Sequence, residues 1–303
     1  MIFKQNQFAK FHSFEFIEKF SAKFFYKNKQ NHIGGNNMES IISKELDMKF
    51  PPIVLLKSDK KPENAIGPKA GKGGCVMSFV AQTIAKRKTT YFGREHITCG
   101  GISVGFGWGS GMANEDAIDF QASFLSLGVD SAPDQEEYEK KLENLAKPTR
   151  EMFRHGERIY CDFETAKDGI KSRPVYDEGE YVIFKGLEDL NEEEIPKSVI
   201  FTVNPIELTV LIQINSSFRD NNACILTPQA SSCQAIGNFV FREAESDDPK
   251  PILSPIDFAG RSKMKHFIPN DYMTVSMPWE LFLKLEKVSE NSVLQTDLWK
   301  KFR

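Results

Sequence analysis

The chain has 303 residues, 40% of them hydrophobic and 27% charged, with a formal net charge of −3. This is ordinary globular composition, long enough to bury a substantial core. No Lys/Arg block is dense enough to track a phosphate backbone, and no run of about 18 apolar residues could span a membrane. Nucleic acid is therefore not expected as a partner, and no transmembrane segment is expected.

Residues 1–37 differ in composition from the rest. They hold 8 of the 25 Phe residues, and six Lys against two Glu. A signal peptide fits poorly, because Lys and Glu interrupt any apolar stretch. Phe16, Phe20 and Phe24 recur at four-residue spacing with lysines between, which suits an amphipathic membrane-surface helix. The favoured expectation is a non-native upstream extension, because Gly34-Gly35 can be encoded by a ribosome-binding sequence at the right spacing before Met38. Residues 38–303 are then expected to form one elaborated domain.

Ile53 to Leu56 is a short apolar run after Pro51-Pro52 and reads as a buried strand. Lys57 to Gly74 is rich in Gly and Pro and reads as a loop. From Cys75, the residues Val76, Phe79, Val80, Thr83 and Ile84 recur at helical spacing, predicting a helix to about Lys86. Ile97 to Cys99 is expected to end a strand, and the glycines from Gly100 to Gly111 read as a loop.

Helices are predicted over Ala117–Leu127 and Gln135–Ala146, and Pro148 is expected to interrupt the chain. Tyr181–Phe184 and Val199–Val203 read as strands. Asn204-Pro205 turns the second into a helix, since Pro suits a first helical position. Ala223–Leu226 reads as a further strand, followed by a helix carrying Cys233. Tyr272–Met277 is a strand, and Pro278 opens a last helix. No clean βαβ period emerges, so the fold class is α/β or α+β, a mixed sheet with flanking helices.

Familiar catalytic signatures fail. In Gly67 to Gly74 the glycine spacing is one residue short of a phosphate loop and Lys72 is followed by glycine. The third glycine of a dinucleotide fingerprint is replaced by Ser110. No G-x-S-x-G elbow occurs. His96 stands three residues before Cys99, where a His–Cys pair competes with a plain surface histidine.

Five cysteines are an odd count in a large domain, and a core of this size needs no disulfide staples. Free thiols in a reducing cytoplasm are expected. Cys75, Cys99, Cys161, Cys224 and Cys233 contain no Cys-x-x-Cys, and a free cysteine often packs as a small hydrophobe. Three have polar, turn-adjacent settings. Cys75 lies at a helix start beside Lys72, Cys99 enters glycine, and Cys233 follows Ser231-Ser232.

Gly74-Cys75 before a helix, Cys99-Gly100-Gly101 with Gly105, Val203-Asn204-Pro205, Cys233 in a Pro-flanked helix and Met277-Pro278 occur in that order. The series resembles the uncharacterised domain-of-unknown-function 169 family of archaea and anaerobic bacteria, over nearly all of Pro51 to Val288. The resemblance implies a cytoplasmic, anaerobe-associated protein and carries no established activity. Many relatives place a further cysteine four residues before an arginine near the C-terminal end. Here Asp257 stands at that offset from Arg261.

Two readings follow from the resemblance. In the first, Cys75, Cys99 and Cys233, with Asp257 as fourth donor, ligate a metal or an iron–sulfur cluster in a redox protein, iron–sulfur favoured over zinc. In the second, a non-catalytic binding or regulatory domain holds a small anionic ligand or cofactor with Gly74, Gly100, Gly101, Gly105 and Arg261. Cys161 and Cys224 are expected to matter least.

Overall fold

The computed structural model describes residues 38–68, 74–96, 100–108, 114–228 and 231–302. The expectations for residues 1–37, for a strand ending at Cys99, and for Cys99, Gly109 and Gly111 themselves lie outside the described residues.

A six-stranded sheet organises the chain, in the order β2-β3-β1-β4-β6-β5. The strands are β1 (Ile53–Ser58), β2 (Thr90–Gly93), β3 (Tyr181–Gly186), β4 (Ser198–Val203), β5 (Ile252–Ser254) and β6 (Met273–Pro278). Every pairing between these strands is antiparallel. Among the described residues, parallel pairing enters as single bridges towards the edges, Ile66 with Thr90 and Leu226 with Ile252. The sheet is thus mixed only at these bridges, and Ala223–Leu226 contributes a bridge rather than the expected strand.

Both faces of the sheet are buried, so its central strands read as continuous apolar runs. In β1, Ile53 and Leu55 join one core with Phe92, Phe184 and Ile200, while Val54 and Leu56 join a second with Val199, Phe201 and Met277. The alternation is that of a pleated strand. The first face is covered by α2 (Val76–Lys86), α9 (Ser232–Ile236), α10 (Asn238–Ala244) and α11 (Phe258–Met264). The second packs against α1 (Ile41–Glu45), α8 (Pro205–Ser216), α12 (Trp279–Ser289) and α13 (Asp297–Phe302). Pro278 opens α12 as expected, but α13 follows it.

The junction at Asn204-Pro205 forms as the sequence predicts. Asn204 caps α8, and Glu207 reaches back to its amide at 2.7 Å, completing a capping box.

The segment after Cys99 is not a loop throughout. Gly100–Gly105 forms α3. Six residues opening on Gly-Gly have little intrinsic helicity, so packing must hold them. Ile102, Val104, Phe106 and Trp108 are buried, and the Phe106 and Trp108 rings enclose Lys57 at the end of β1. The Lys57 ammonium donates to the carbonyls of Phe106 (2.9 Å) and Glu178 (2.8 Å). Its burial lowers its pKa to about 8.

Between α3 and β3 lies a helical insertion: α4 (Glu115–Leu125), α5 (Gln135–Glu143), α6 (Lys147–His155) and α7 (Phe163–Lys171). Pro148 stands in the first turn of α6 instead of interrupting the chain, because a first-turn residue needs no amide hydrogen. The insertion has small cores of its own, Ile118, Ala122 and Leu125 against Ala166 and Ile170, and Phe124 stacked on Phe153 at 3.8 Å.

Candidate functional site

The two described cysteines of the expected set sit at or near helix starts. Cys75 is the N-cap residue of α2, its carbonyl accepting from the Ser78 amide at 2.9 Å and its side chain making no cap bond. Cys233 lies in α9, buried, with the Ser231 hydroxyl 3.2 Å from its sulfur. Four short elements pack together here: α9 against α3 and α2, and α11 against α2. The helices that follow Cys75, Cys99 and Asp257 therefore meet the one that carries Cys233.

Glycine allows the tightest of these approaches. A Cβ on Gly105 would lie 2.9 Å from both the carbonyl carbon and oxygen of Cys233. No ordinary side chain tolerates that distance, so Gly105 serves backbone contact between α3 and α9. Gly74 is different: a Cβ there would meet only the Phe79 ring, at an ordinary 3.5 Å.

Asp257 is the N-cap of α11. Its Oδ1 accepts from the Gly260 amide at 2.7 Å, and its Oδ2 accepts from both the amide and the hydroxyl of Ser232 at 2.6 Å. Oδ1 thus caps α11 itself, and Oδ2 joins α11 to α9. Arg261 does not hold this carboxylate. Its guanidinium donates to the carbonyls of Ile256 (3.1 Å), Asn270 (2.6 Å) and Pro255. These bonds fix the turn into α11 and leave its planar fork pointed at backbone.

Among the described residues, no group of three or more His, Cys, Asp or Glu is arranged to hold a metal ion. The Nδ1 of His96 accepts from the Gly93 amide at 3.2 Å, and the Cys99 with which it was expected to pair lies outside the described residues.

Arg173, just past α7, supplies the unexpected charge. It is 8% exposed, and its Nε has no hydrogen-bond partner. Burial lowers its pKa, while Tyr160 and Cys233 beside it act the other way. Among the described residues, no carboxylate pairs with it. Glu157, from the same insertion, lies near Asp257. Desolvation and then the Asp257 charge raise its pKa, although its side chain reaches solvent.

The helical insertion therefore meets the sheet domain at Arg173 and Cys233. Asn238, first residue of α10, bridges the same junction by donating to the carbonyls of Val104 and, at 2.8 Å, Pro174. Nothing in the sequence singled out Arg173, Glu157 or Asn238. None lies in a recognisable motif, and only tertiary packing brings them to this junction.

A cavity of about 320 Å³ lies elsewhere, lined by Asn204, Glu207, Tyr272 and Trp299, and touches neither cysteine. No helix among the described residues is long and apolar enough to cross a membrane.

An open antiparallel sheet with helices packed on both faces defines a mixed α/β protein. The family model of domain of unknown function 169, described as uncharacterised ArCR, matches residues 41–288, and the chain belongs to that family. No curated protein matches the chain. No solved structure matches it either.

Proposed function

We propose that this protein binds a small anionic ligand where the helical insertion meets α9, with Arg173 supplying the charge. The carrying observation is Arg173 itself, nine-tenths buried near Cys233, hydrogen-bonded to Tyr160 and with an unpartnered Nε. A buried cation is costly unless an opposite charge or a full set of hydrogen bonds compensates it. A guanidinium also suits planar, bidentate recognition of carboxylate or phosphate. Sites between structural units are common places for such ligands. Gly105 acts here through backbone packing. Cysteines held outside disulfides at such a site suit a reducing, cytoplasmic setting.

The second reading is a thiolate-ligated metal or iron–sulfur centre in a redox protein. What favours it is the packing of α2, α3 and α9, the elements that follow or carry Cys75, Cys99 and Cys233. With the oxygens of Asp257 engaged, that reading rests on the three cysteines.

One preparation separates the two. Protein purified without oxygen is assayed for iron and visible absorbance, then titrated with inorganic phosphate, sulfate and small carboxylates. The anion reading expects colourless protein that binds an anion, and loss of that binding in Arg173→Met. Stoichiometric iron lost on Cys233→Ala supports the second reading and displaces the first.

A further inference from the structure

The sheet face beneath α9 and α10 carries buried hydroxyls where an apolar core is expected. Across β4 and β6, Thr202 faces Thr274; Ser276 lies two residues further along β6, with Ser198 at the far end of β4. All four are at most 1% exposed, and none of their hydroxyl oxygens has a hydrogen-bond partner. They share the face of Ile200, which belongs to the core covered by α9 and α10.

The covering helices add a second set. The side-chain oxygens of Gln234 and Asn238 are also without partners, in residues 2% and 1% exposed. Buried polar groups in native proteins are nearly always satisfied, so these unpartnered oxygens on the sheet face and its covering helices call for an occupant. The amide oxygens of Gln234 and Asn238 only accept hydrogen bonds, whereas the hydroxyls both give and accept. The occupant must therefore carry donors, which a bare carboxylate or phosphate dianion lacks.

This layer adjoins the Arg173 junction. Gln234 follows Cys233 in the chain, and Asn238 donates to Pro174, the residue after Arg173. Ser254, which pairs with Thr274, stands three residues before Asp257, and Asp257 grips Ser232. We infer that the ligand is a hydroxylated organic anion, its charged end at Arg173 and its hydroxyl groups against the Thr202–Thr274 face. The inference rests on the anionic-ligand reading above and specifies the ligand's class.

The test uses the full chain, with inorganic phosphate, glucose 6-phosphate and gluconate as probes, and calorimetry as the readout. Wild-type protein is expected to bind at least one hydroxylated anion about tenfold or more tightly than phosphate. The variant Thr202→Val/Thr274→Val, which keeps shape and removes two hydroxyls, should bring that ratio close to one while phosphate binding persists. Its unliganded melting temperature should hold or rise, since the hydroxyls have no partner to lose. Should the double variant not fold, Thr274→Val alone is expected to reduce the ratio.

Arg173→Met should weaken all three probes. A wild-type ratio near one, or a ratio unmoved by the Val variants, overturns the inference and leaves the anion site standing; water alone filling the layer gives that result. Unchanged binding in Arg173→Met overturns the anion reading instead. No binding of any probe overturns both.

Discussion

Asp257 and Ser232 hold each other from both sides: the carboxylate accepts from the serine amide and hydroxyl at 2.6 Å, and the Asp257 amide donates to the same hydroxyl at 3.1 Å. The pair fastens the start of α11 to the start of α9, directly beside Cys233. This makes Asp257 a structural clamp and helix cap.

Replacing Asp257 by Ala removes a cap and three accepted hydrogen bonds, so a loss of about 1–3 kcal/mol is expected. Ser232→Ala should cost a similar amount, and the double variant less than the sum, because both remove one shared interaction. Urea denaturation of the four proteins measures the coupling. Strictly additive losses would show that the clamp does not form in solution.

Gly105→Ala probes the contact between α3 and α9. The added methyl meets the Cys233 carbonyl at 2.9 Å, so the helices must part or the backbone must bend. The expected cost is roughly 1–3 kcal/mol, as for other overpacked sites. Anion binding at Arg173 should weaken in the same variant, because α9 carries Cys233 and leads into Asn238. A Gly74→Ala control should show neither effect, since its new methyl finds only ordinary contact with Phe79.

Cys161 and Cys224 are expected to lie outside the site and to differ from each other. Cys161 is exposed beside Asp162, while Cys224 is buried at 7% exposure. A thiol reagent should modify Cys161 at once and Cys224 only on unfolding. Cys224→Ala should cost on the order of 1 kcal/mol in packing, and neither Cys161→Ser nor Cys224→Ala should move the anion affinity. A tenfold loss of binding in Cys224→Ala would place the site elsewhere.

What was legible in the sequence was local. The apolar run at Ile53, the helical spacing from Val76 and the Asn204-Pro205 start each state their structure through one short-range signal. The strands at Thr90 and Ile252 were missed because they are only four and three residues long. The glycines after Gly100 read as a loop because propensity opposes a helix there, and buried contacts of Ile102 and Val104 overrule it. Cys75 and Cys233 stand out in the sequence through their polar, turn-adjacent settings. Arg173 carried no such mark, since its meaning lies in burial beside a residue sixty positions away.

The acid dependence of stability should carry the signature of Glu286. This residue of α12 is 1% exposed and accepts from the Ser40 hydroxyl at 2.6 Å and the Ile41 amide at 2.7 Å, tying the start of α1 to the second core. Burial raises its pKa to about 7 from an ordinary 4.5, against the opposing pull of those hydrogen bonds. Between these two values the folded protein holds a proton that the unfolded chain has released. Stability therefore falls as pH rises from about 4.5 to 7, by up to about 3 kcal/mol, and is flat in this group above and below that window. Lys57, its pKa lowered to about 8, adds a slope of opposite sign only at higher pH. Glu286→Gln cannot titrate, so it should resemble the wild type near pH 4 and exceed it in stability near pH 8. Urea midpoints for both proteins across pH 4–8 decide the matter. Parallel curves would mean that Glu286 keeps an ordinary pKa and that a carboxylate makes its bonds to Ser40 and Ile41 over most of that range.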